Sequence, residues 1–180
     1  MSNQMVISQT AERLSQLTTG ICYDATNYFI RKGYFLKINH IGLILQECYM
    51  ASLCILSLQS GFYADREEIE RIVKETHEPI RDWLVSIYSA TNRDYDYGVL
   101  VTNVVENLFP YYSNWCQQLT GENNEIDCKD IGKWAPAATS ACVRNIINEL
   151  EQDLDITLSH EITDLNEIIF QHLYNSDEVK

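Results

Sequence analysis

Basic residues are scarce in this sequence of 180 residues, which has 13 Lys and Arg against 26 Asp and Glu and a net charge of -13. The deficit grows along the chain, because residues 1–60 carry +1, residues 61–120 carry -5 and residues 121–180 carry -9. A surface of that sign repels nucleic acid and anionic membranes, and it attracts basic proteins. We therefore expect a basic protein partner, no nucleic acid and no membrane.

The common catalytic and cofactor-binding motifs are also missing. The sequence has no Gly-rich phosphate loop, no nucleophile elbow and no Cys/His spacing typical of zinc sites. Its six cysteines include no CxxC pair, and Cys48 and Cys54 lie in an apolar run, as reduced core thiols do. The N-terminus shows no secretory signal pattern. These absences predict a non-catalytic, cytoplasmic protein without a metal ion or a cofactor.

Hydrophobic periodicity predicts an all-α fold, a single domain over residues 1–180 with about seven helices around a central apolar helix at about residues 40–60. The segment "IGLILQECYMASLCILSL", Ile41 to Leu58, has Glu47 as its one formal charge. Its length approaches that of a membrane span. Its polar interruptions and the lack of a flanking basic cluster favour the central helix of a bundle instead.

Capping residues predict where several helices begin and end. The segment "RKG" at 31–33 puts a glycine just after the first helix, which we expect over about residues 8–32. Asn39 is a candidate N-cap for the central helix. Pro136 is a candidate first residue for the helix before the last, and Ser159 is a candidate N-cap for the last helix.

The middle of the chain is less regular. Pro79 either separates two helices or kinks one, and the sequence leaves both readings open. An apolar stripe ending at Pro110 predicts a helix, and a shorter helix follows around "SNWCQQL". Residues 120–133 form the longest polar stretch and are therefore the best loop candidate.

Two alternatives would make the protein an enzyme. The acidic residues between Glu67 and Asp82 would suit Mg²⁺ if helices paired them inward, as in metal-dependent nucleotide hydrolases, although "REEIER" does not reproduce the EExxE motif of that class. The segment "RIVKETH" separates Arg71 from His77 by five residues and so resembles the Arg-x4–6-His signature of HEPN ribonucleases. In that family the pair acts on the RNA phosphate and 2′-hydroxyl. Ile72 departs from its pattern, which usually has a polar residue there.

A binding function accounts for more of the unusual residues. In "TNRDYDYG" acids alternate with phenols, and loop tyrosines supply large contact area at low entropic cost. In "NELEQDLDI" like charges stand four residues apart with no basic residue within one helical turn, so a basic partner would relieve their repulsion. The predicted partner-binding residues are Asp94, Tyr95, Asp96, Tyr97, Tyr111, Tyr112, Glu149, Glu151, Asp153 and Asp155.

In its charge and its neighbouring acids and tyrosines, the chain resembles the acidic helical immunity proteins that neutralise colicin nucleases, although it is longer than those proteins. The resemblance implies an immunity or antitoxin protein that occludes the cationic cleft of a nuclease-like toxin. In such a contact the carboxylates pair with Lys and Arg, and the rings pack on their aliphatic stems and exclude water. A wider class of acidic adaptors or chaperones is the nearest alternative.

Overall fold

Five α-helices make up most of the part of the chain that the computed structural model describes, residues 3–60, 66–89, 106 and 131–175. In chain order they are α1 Asn3–Arg31, α2 Ile38–Ser60, α3 Arg66–Tyr88, α4 Ile131–Leu154 and α5 Ile162–Tyr174, with a 3₁₀ turn at Ser159–Glu161 before α5. These residues contain no strand, which confirms the prediction of an all-α bundle for them.

The bundle is arranged around α1 and α2. α1 contacts α2, α3 and α5, while α4 packs between α2 and α5. α2 is the central apolar helix, as predicted, and residues such as Ile44, Met50 and Leu53 are fully buried. Within the described residues, one window, Ile38–Leu56, is long and apolar enough to cross a membrane, and 72% of it is buried inside the bundle.

The number of helices within the described residues is smaller than the expected seven. Pro79 lies inside α3, so the segment that the sequence left undecided is one helix. A proline there lacks the N–H that would bond to the carbonyl of Glu75, but its fixed φ suits a helix. The two helices expected near Pro110 lie outside the described residues, except for Glu106.

α4 starts earlier than the sequence predicts. It begins at Ile131, so Pro136 lies inside the helix instead of starting it, and the loop expected over 120–133 does not include its last three residues. Trp134 and Ala135, just before the proline, are buried in the core. Their packing extends the helix beyond its local stop signal, because most helix stability in proteins comes from burying an apolar face.

The start of α2 depends on a histidine. The helix begins at Ile38, so the prediction that Asn39 is its N-cap is wrong. The backbone N–H of Lys37 donates a 3.1 Å hydrogen bond to Nδ1 of the buried His40. A Glu or Gln at the third helical position has this role in a capping box. The imidazole therefore satisfies the first backbone donor of the helix.

The end of α1 follows the sequence prediction. Gly33 has φ 90°, and its N–H donates to the carbonyl of Ile30 at 3.0 Å. The N–H of Tyr34 donates to the carbonyl of Phe29 at 3.0 Å, and the two rings meet edge to face at 5.8 Å. These two bonds and the ring contact form a Schellman motif, which needs a residue with positive φ at the glycine position.

The cysteines that the structure describes are reduced core residues, as predicted. Cys22, Cys48, Cys54 and Cys142 are buried and carry free thiols, whereas Cys116 and Cys128 lie outside the described residues. Burial raises the pKa of the Cys22 thiol to about 12, which keeps it neutral.

Two isoleucines that continue the apolar stripes of their helices lie at the surface. Ile87 is 46% exposed and Ile162 is 39% exposed. Each lies in the first or last turn of its helix, where a periodic stripe extends beyond the residues that bury it.

Candidate functional site

Six of the predicted partner-binding residues cannot be placed, because they lie outside the described residues: Asp94, Tyr95, Asp96, Tyr97, Tyr111 and Tyr112. Their role stays a prediction. Of the other four, Glu149, Glu151 and Asp153 lie near the C-terminal end of α4 and Asp155 directly follows it. They divide into two pairs with different surroundings.

Glu149 and Asp153 lie one turn apart on the exposed side of α4. The Asp153 side chain is 57% exposed, and its Oδ2 lies 3.8 Å from Nε2 of His40. Residues 145–179 contain nine carboxylates and no Lys or Arg. The α4 acidic face, which we define as Glu149 and Asp153, therefore lies in an acidic segment, and the imidazole of His40 lies close to Asp153.

Glu151 and Asp155 shape the end of α4. The backbone N–H of Leu158 donates to Oε1 of Glu151 at 2.6 Å, so this half-buried carboxylate anchors the segment that follows the helix. Asp155 has φ 51°, and the N–H of Ile156 donates to the carbonyl of Glu151 at 3.4 Å. Asp155 thus takes the left-handed position that glycine usually occupies after a helix.

A buried carboxylate that the sequence did not single out joins α1 to α5. Glu161 precedes α5, and its side chain accepts hydrogen bonds from the phenols of Tyr28 and Tyr34, the latter at 2.9 Å. Nζ of Lys32 lies 3.5 Å from Oε2 of Glu161 and 3.4 Å from Oδ2 of Asp164. We call these five residues the Glu161 cluster.

The position of Glu161 corrects the prediction that Ser159 caps the last helix. Ser159 begins the 3₁₀ turn, and neither it nor Glu161 makes a side-chain cap to α5. The carboxylate of Glu161 instead binds Tyr28 of α1 and Lys32 and Tyr34 in the turn after it. These two phenols and the ammonium group offer it more hydrogen bonds than the end of α5 does. The local sequence gives no sign of this, because its partners are more than 120 residues away.

The Glu161 cluster favours the ionised carboxylate. The hydrogen bond from Tyr28 lowers the pKa of Glu161, and Tyr34 and Lys32 add to this effect. Burial and the bond to Glu161 raise the pKa of Tyr28, and the bond to Glu161 raises that of Tyr34. Both phenols therefore remain protonated and act as donors. The Glu161 cluster links α1 and the turn after it to the start of α5.

A cavity of about 890 Å³ contains the pair that resembles the ribonuclease signature. Its lining consists of Ile7 of α1 and a run of α3 residues with both signs of charge: Arg71, Lys74, Glu75, His77, Glu78 and Pro79. Arg71 is exposed and His77 is half-buried. Within the described residues, no group of three His, Cys, Asp or Glu side chains is arranged to hold a metal ion, including those between Glu67 and Asp82.

No protein-family model, curated protein or solved structure gives a significant match to this chain.

Proposed function

We propose that the chain is a non-catalytic acidic protein that binds a basic protein and blocks it, as an immunity or antitoxin protein blocks a nuclease-like toxin. The observation that carries this proposal is the α4 acidic face, Glu149 and Asp153, within a segment of nine carboxylates and no Lys or Arg. The proposed place of action is the cytoplasm, where thiols such as the buried ones of Cys22 and Cys142 remain reduced.

Long-range attraction is the first step of the proposed mechanism. A net charge of -13 steers a cationic partner toward the acidic helices and raises the association rate. Glu149 and Asp153 then pair with Lys or Arg at the rim of the partner's substrate cleft. The alternating acids and phenols at 94–97 and the tyrosines at 111 and 112 supply the remaining contacts in this proposal.

Not every acid is available for that role. Glu161 is buried against α1, and Glu151 holds the backbone of Leu158. Of the four α4 residues predicted to bind, the proposal therefore assigns the direct contacts to Glu149 and Asp153, and an indirect role to Glu151 and Asp155, which fix the end of the helix.

The test starts from the product of the neighbouring reading frame, if that product is basic. It is purified, and its nuclease activity and its association rate are measured with and without this protein. Reversing the α4 acidic face with Glu149→Lys and Asp153→Lys should lower the association rate about tenfold at low salt, and less at high salt. A neighbouring product that is not cationic, or that is not bound, would count against the proposal.

The matched control changes the net charge equally at another place. Glu12 lies on α1 and Glu78 on α3, and both are exposed. Glu12→Lys with Glu78→Lys should lower the association rate only slightly, because long-range attraction changes while the contact does not. Equal losses in the two double variants would remove the α4 acidic face from the interface.

A second candidate function is a ribonuclease that uses Arg71 and His77. The observation in its favour is the shared cavity of about 890 Å³, although Glu75 and Glu78 in its lining offset the positive charge of Arg71 and Lys74. Its test is cleavage of single-stranded RNA by the wild type, by His77→Ala and by His160→Ala, an exposed histidine on another element. Cleavage that His77→Ala abolishes and His160→Ala leaves intact would favour this function over the inhibitor.

A further inference from the structure

The ring nitrogen Nδ1 of His40 is committed to a backbone contact. The imidazole is buried, and its Nδ1 accepts the 3.1 Å hydrogen bond from the N–H of Lys37. Because a nitrogen that accepts a hydrogen bond carries no proton, the neutral ring has its proton on Nε2. Nε2 lies on the side of α4, 3.8 Å from Oδ2 of Asp153. The contacts of the ring therefore fix its tautomer.

This contact orients one peptide group at the start of α2. The carbonyl of Lys37 accepts the N–H groups of His40 and Ile41, at 3.1 and 3.2 Å. The N–H of Lys37 belongs to the preceding peptide, which joins it to Leu36, and donates to Nδ1 of His40. Leu36 packs against the core, whereas the neighbouring Phe35 side chain is 80% exposed. The imidazole therefore holds the last peptide before the helix in place.

Protonation reverses the hydrogen-bonding character of Nδ1. In the imidazolium ion both ring nitrogens are donors, so the Nδ1–H of His40 would face the N–H of Lys37 and the two donors would repel each other. Lys37 is exposed, so water replaces the lost acceptor once the peptide turns outward. Histidine is the side chain whose charge ordinarily changes between about pH 5 and 8. Mild acid therefore removes the acceptor of this backbone N–H.

The charged groups around the imidazole determine which part moves. On α4, Asp153 lies 3.8 Å away and Glu149 is one turn earlier, and both attract an imidazolium ion. On α1, the thiol of Cys22 lies 3.9 Å from the carbonyl of Ile41, and burial raises its pKa to about 12, so it remains neutral. The exposed ammonium group of Lys37 is the cation of the preceding turn. The protonated ring therefore stays beside α4, and the backbone of Lys37 moves.

We propose that His40 is a pH-sensitive switch at the start of α2. The neutral ring holds the peptide between Leu36 and Lys37, and the protonated ring pairs with Asp153 and releases that peptide together with the exposed Phe35. This switch operates in the protein alone and is independent of the proposed inhibitor function.

The test is an NMR titration of the ¹⁵N-labelled full chain between about pH 5 and 8. The nitrogen shifts of the His40 ring report its tautomer and its protonation. Hydrogen exchange, corrected for the intrinsic rate at each pH, reports the protection of the Lys37 amide. That protection should fall about fivefold, with the same midpoint as the protonation of His40. Asp153→Asn should move this midpoint to lower pH, because the protonated ring loses its carboxylate partner.

His40→Gln separates the acceptor from the titration. A glutamine at this third helical position accepts the same backbone N–H in a capping box but has no proton to gain, so the Lys37 amide should be equally protected across the pH range. His160→Gln is the matched control, since it removes an exposed histidine before α5 and should leave the pH dependence at Lys37 unchanged.

Three results would overturn the switch. In the wild type they are a His40 ring that stays neutral down to about pH 5, and a Lys37 amide that keeps its protection when His40 is protonated. In the variants it is a loss of protection in acid that His40→Gln leaves intact or that His160→Gln abolishes. An unchanged midpoint in Asp153→Asn would contradict the pairing of the protonated ring with α4.

Discussion

The phenol of Tyr34 donates a hydrogen bond of 2.9 Å to Oε1 of Glu161. This contact ties the turn after α1 to the residue before α5. It exists because Gly33 ends α1 in a Schellman motif that lays the Tyr34 ring on Phe29. A glycine that the sequence identifies as a helix stop therefore also positions a tertiary contact.

We expect Glu161→Gln to lower the free energy of unfolding by about 2 kcal/mol at pH 7, because hydrogen bonds to a charged acceptor are worth roughly 1.5–3 kcal/mol. The measurement is urea denaturation followed by circular dichroism. Glu167→Gln, at an exposed position of α5, should change the free energy by less than about 0.5 kcal/mol. Equal effects of the two substitutions would show that the Glu161 cluster does not stabilise the fold.

The stabilising effect of Glu161 should depend on pH. Its pKa is lowered in the folded protein, chiefly by the hydrogen bond from Tyr28, so its contribution is fully present above the ordinary glutamate value of 4.5. That contribution is lost as the pH falls below this value and through the lower pKa of the folded state. The difference in unfolding free energy between wild type and Glu161→Gln should be constant from pH 6 to 8 and shrink below about pH 4.5. A difference that grows in acid would contradict the direction of the shift.

Two glycines offer a paired test of backbone conformation. A Cβ would meet no atom within 4 Å at either Gly33 or Gly42, but Gly33 has φ 90° and Gly42 lies inside α2. Gly33→Ala should therefore destabilise the protein by about 1–2 kcal/mol, and Gly42→Ala should stabilise it by up to about 1 kcal/mol. Thermal unfolding of both variants measures the difference, and effects of the same sign would rule out the Schellman motif as the cause.

Asp155 is a position where glycine should improve stability. Its φ of 51° is costly for a residue with a Cβ, so Asp155→Gly should raise the free energy of unfolding by about 0.5 kcal/mol. Gln152→Gly, one turn earlier and within α4, should lower it by about 0.5–1 kcal/mol. Denaturant midpoints of the two variants give the comparison. A destabilising effect of Asp155→Gly would mean that the aspartate side chain has a structural role of its own.

Asn145 should matter more than its neighbour Asn148. Its Nδ2 donates a 2.9 Å hydrogen bond to Oε2 of Glu47, a buried carboxylate on the central helix. Asn145→Ala should cost about 1–3 kcal/mol, because a buried acceptor loses a donor. Asn148→Ala, at an exposed position on the same helix, should cost less than about 0.5 kcal/mol. Chemical denaturation tests this, and a small loss for Asn145→Ala would show that water replaces the amide.

Local signals predicted the helices well where pattern and packing agree. The buried stripe of α1, the apolar length of α2 and the glycine at 33 all favour the structure that forms. The stop signals at Pro136 and Ser159 predicted the wrong boundaries, since burial of Trp134 extends α4 and a 3₁₀ turn precedes α5. Tertiary packing outweighs a single capping preference.

The Glu161 cluster was beyond the reach of sequence reasoning for a different reason. Tyr28 and Glu161 are 133 residues apart, and no spacing rule connects positions at that distance. The acids of α4 were visible as a charged segment, but the sequence did not reveal that Glu151 holds a backbone N–H or that Asp155 turns the chain. The net charge of a segment therefore does not distinguish a carboxylate that binds a partner from one that holds the backbone.

The contact between α1 and α5 has a consequence for biosynthesis. The first helix leaves the ribosome long before the helix that covers one of its sides, so Tyr28 lacks its partners Glu161 and Asp164 until that later segment has emerged. Contacts of such wide sequence separation form late and slowly. A nascent or truncated chain that stops before Ile162 should therefore depend on chaperones and aggregate more readily than the finished protein.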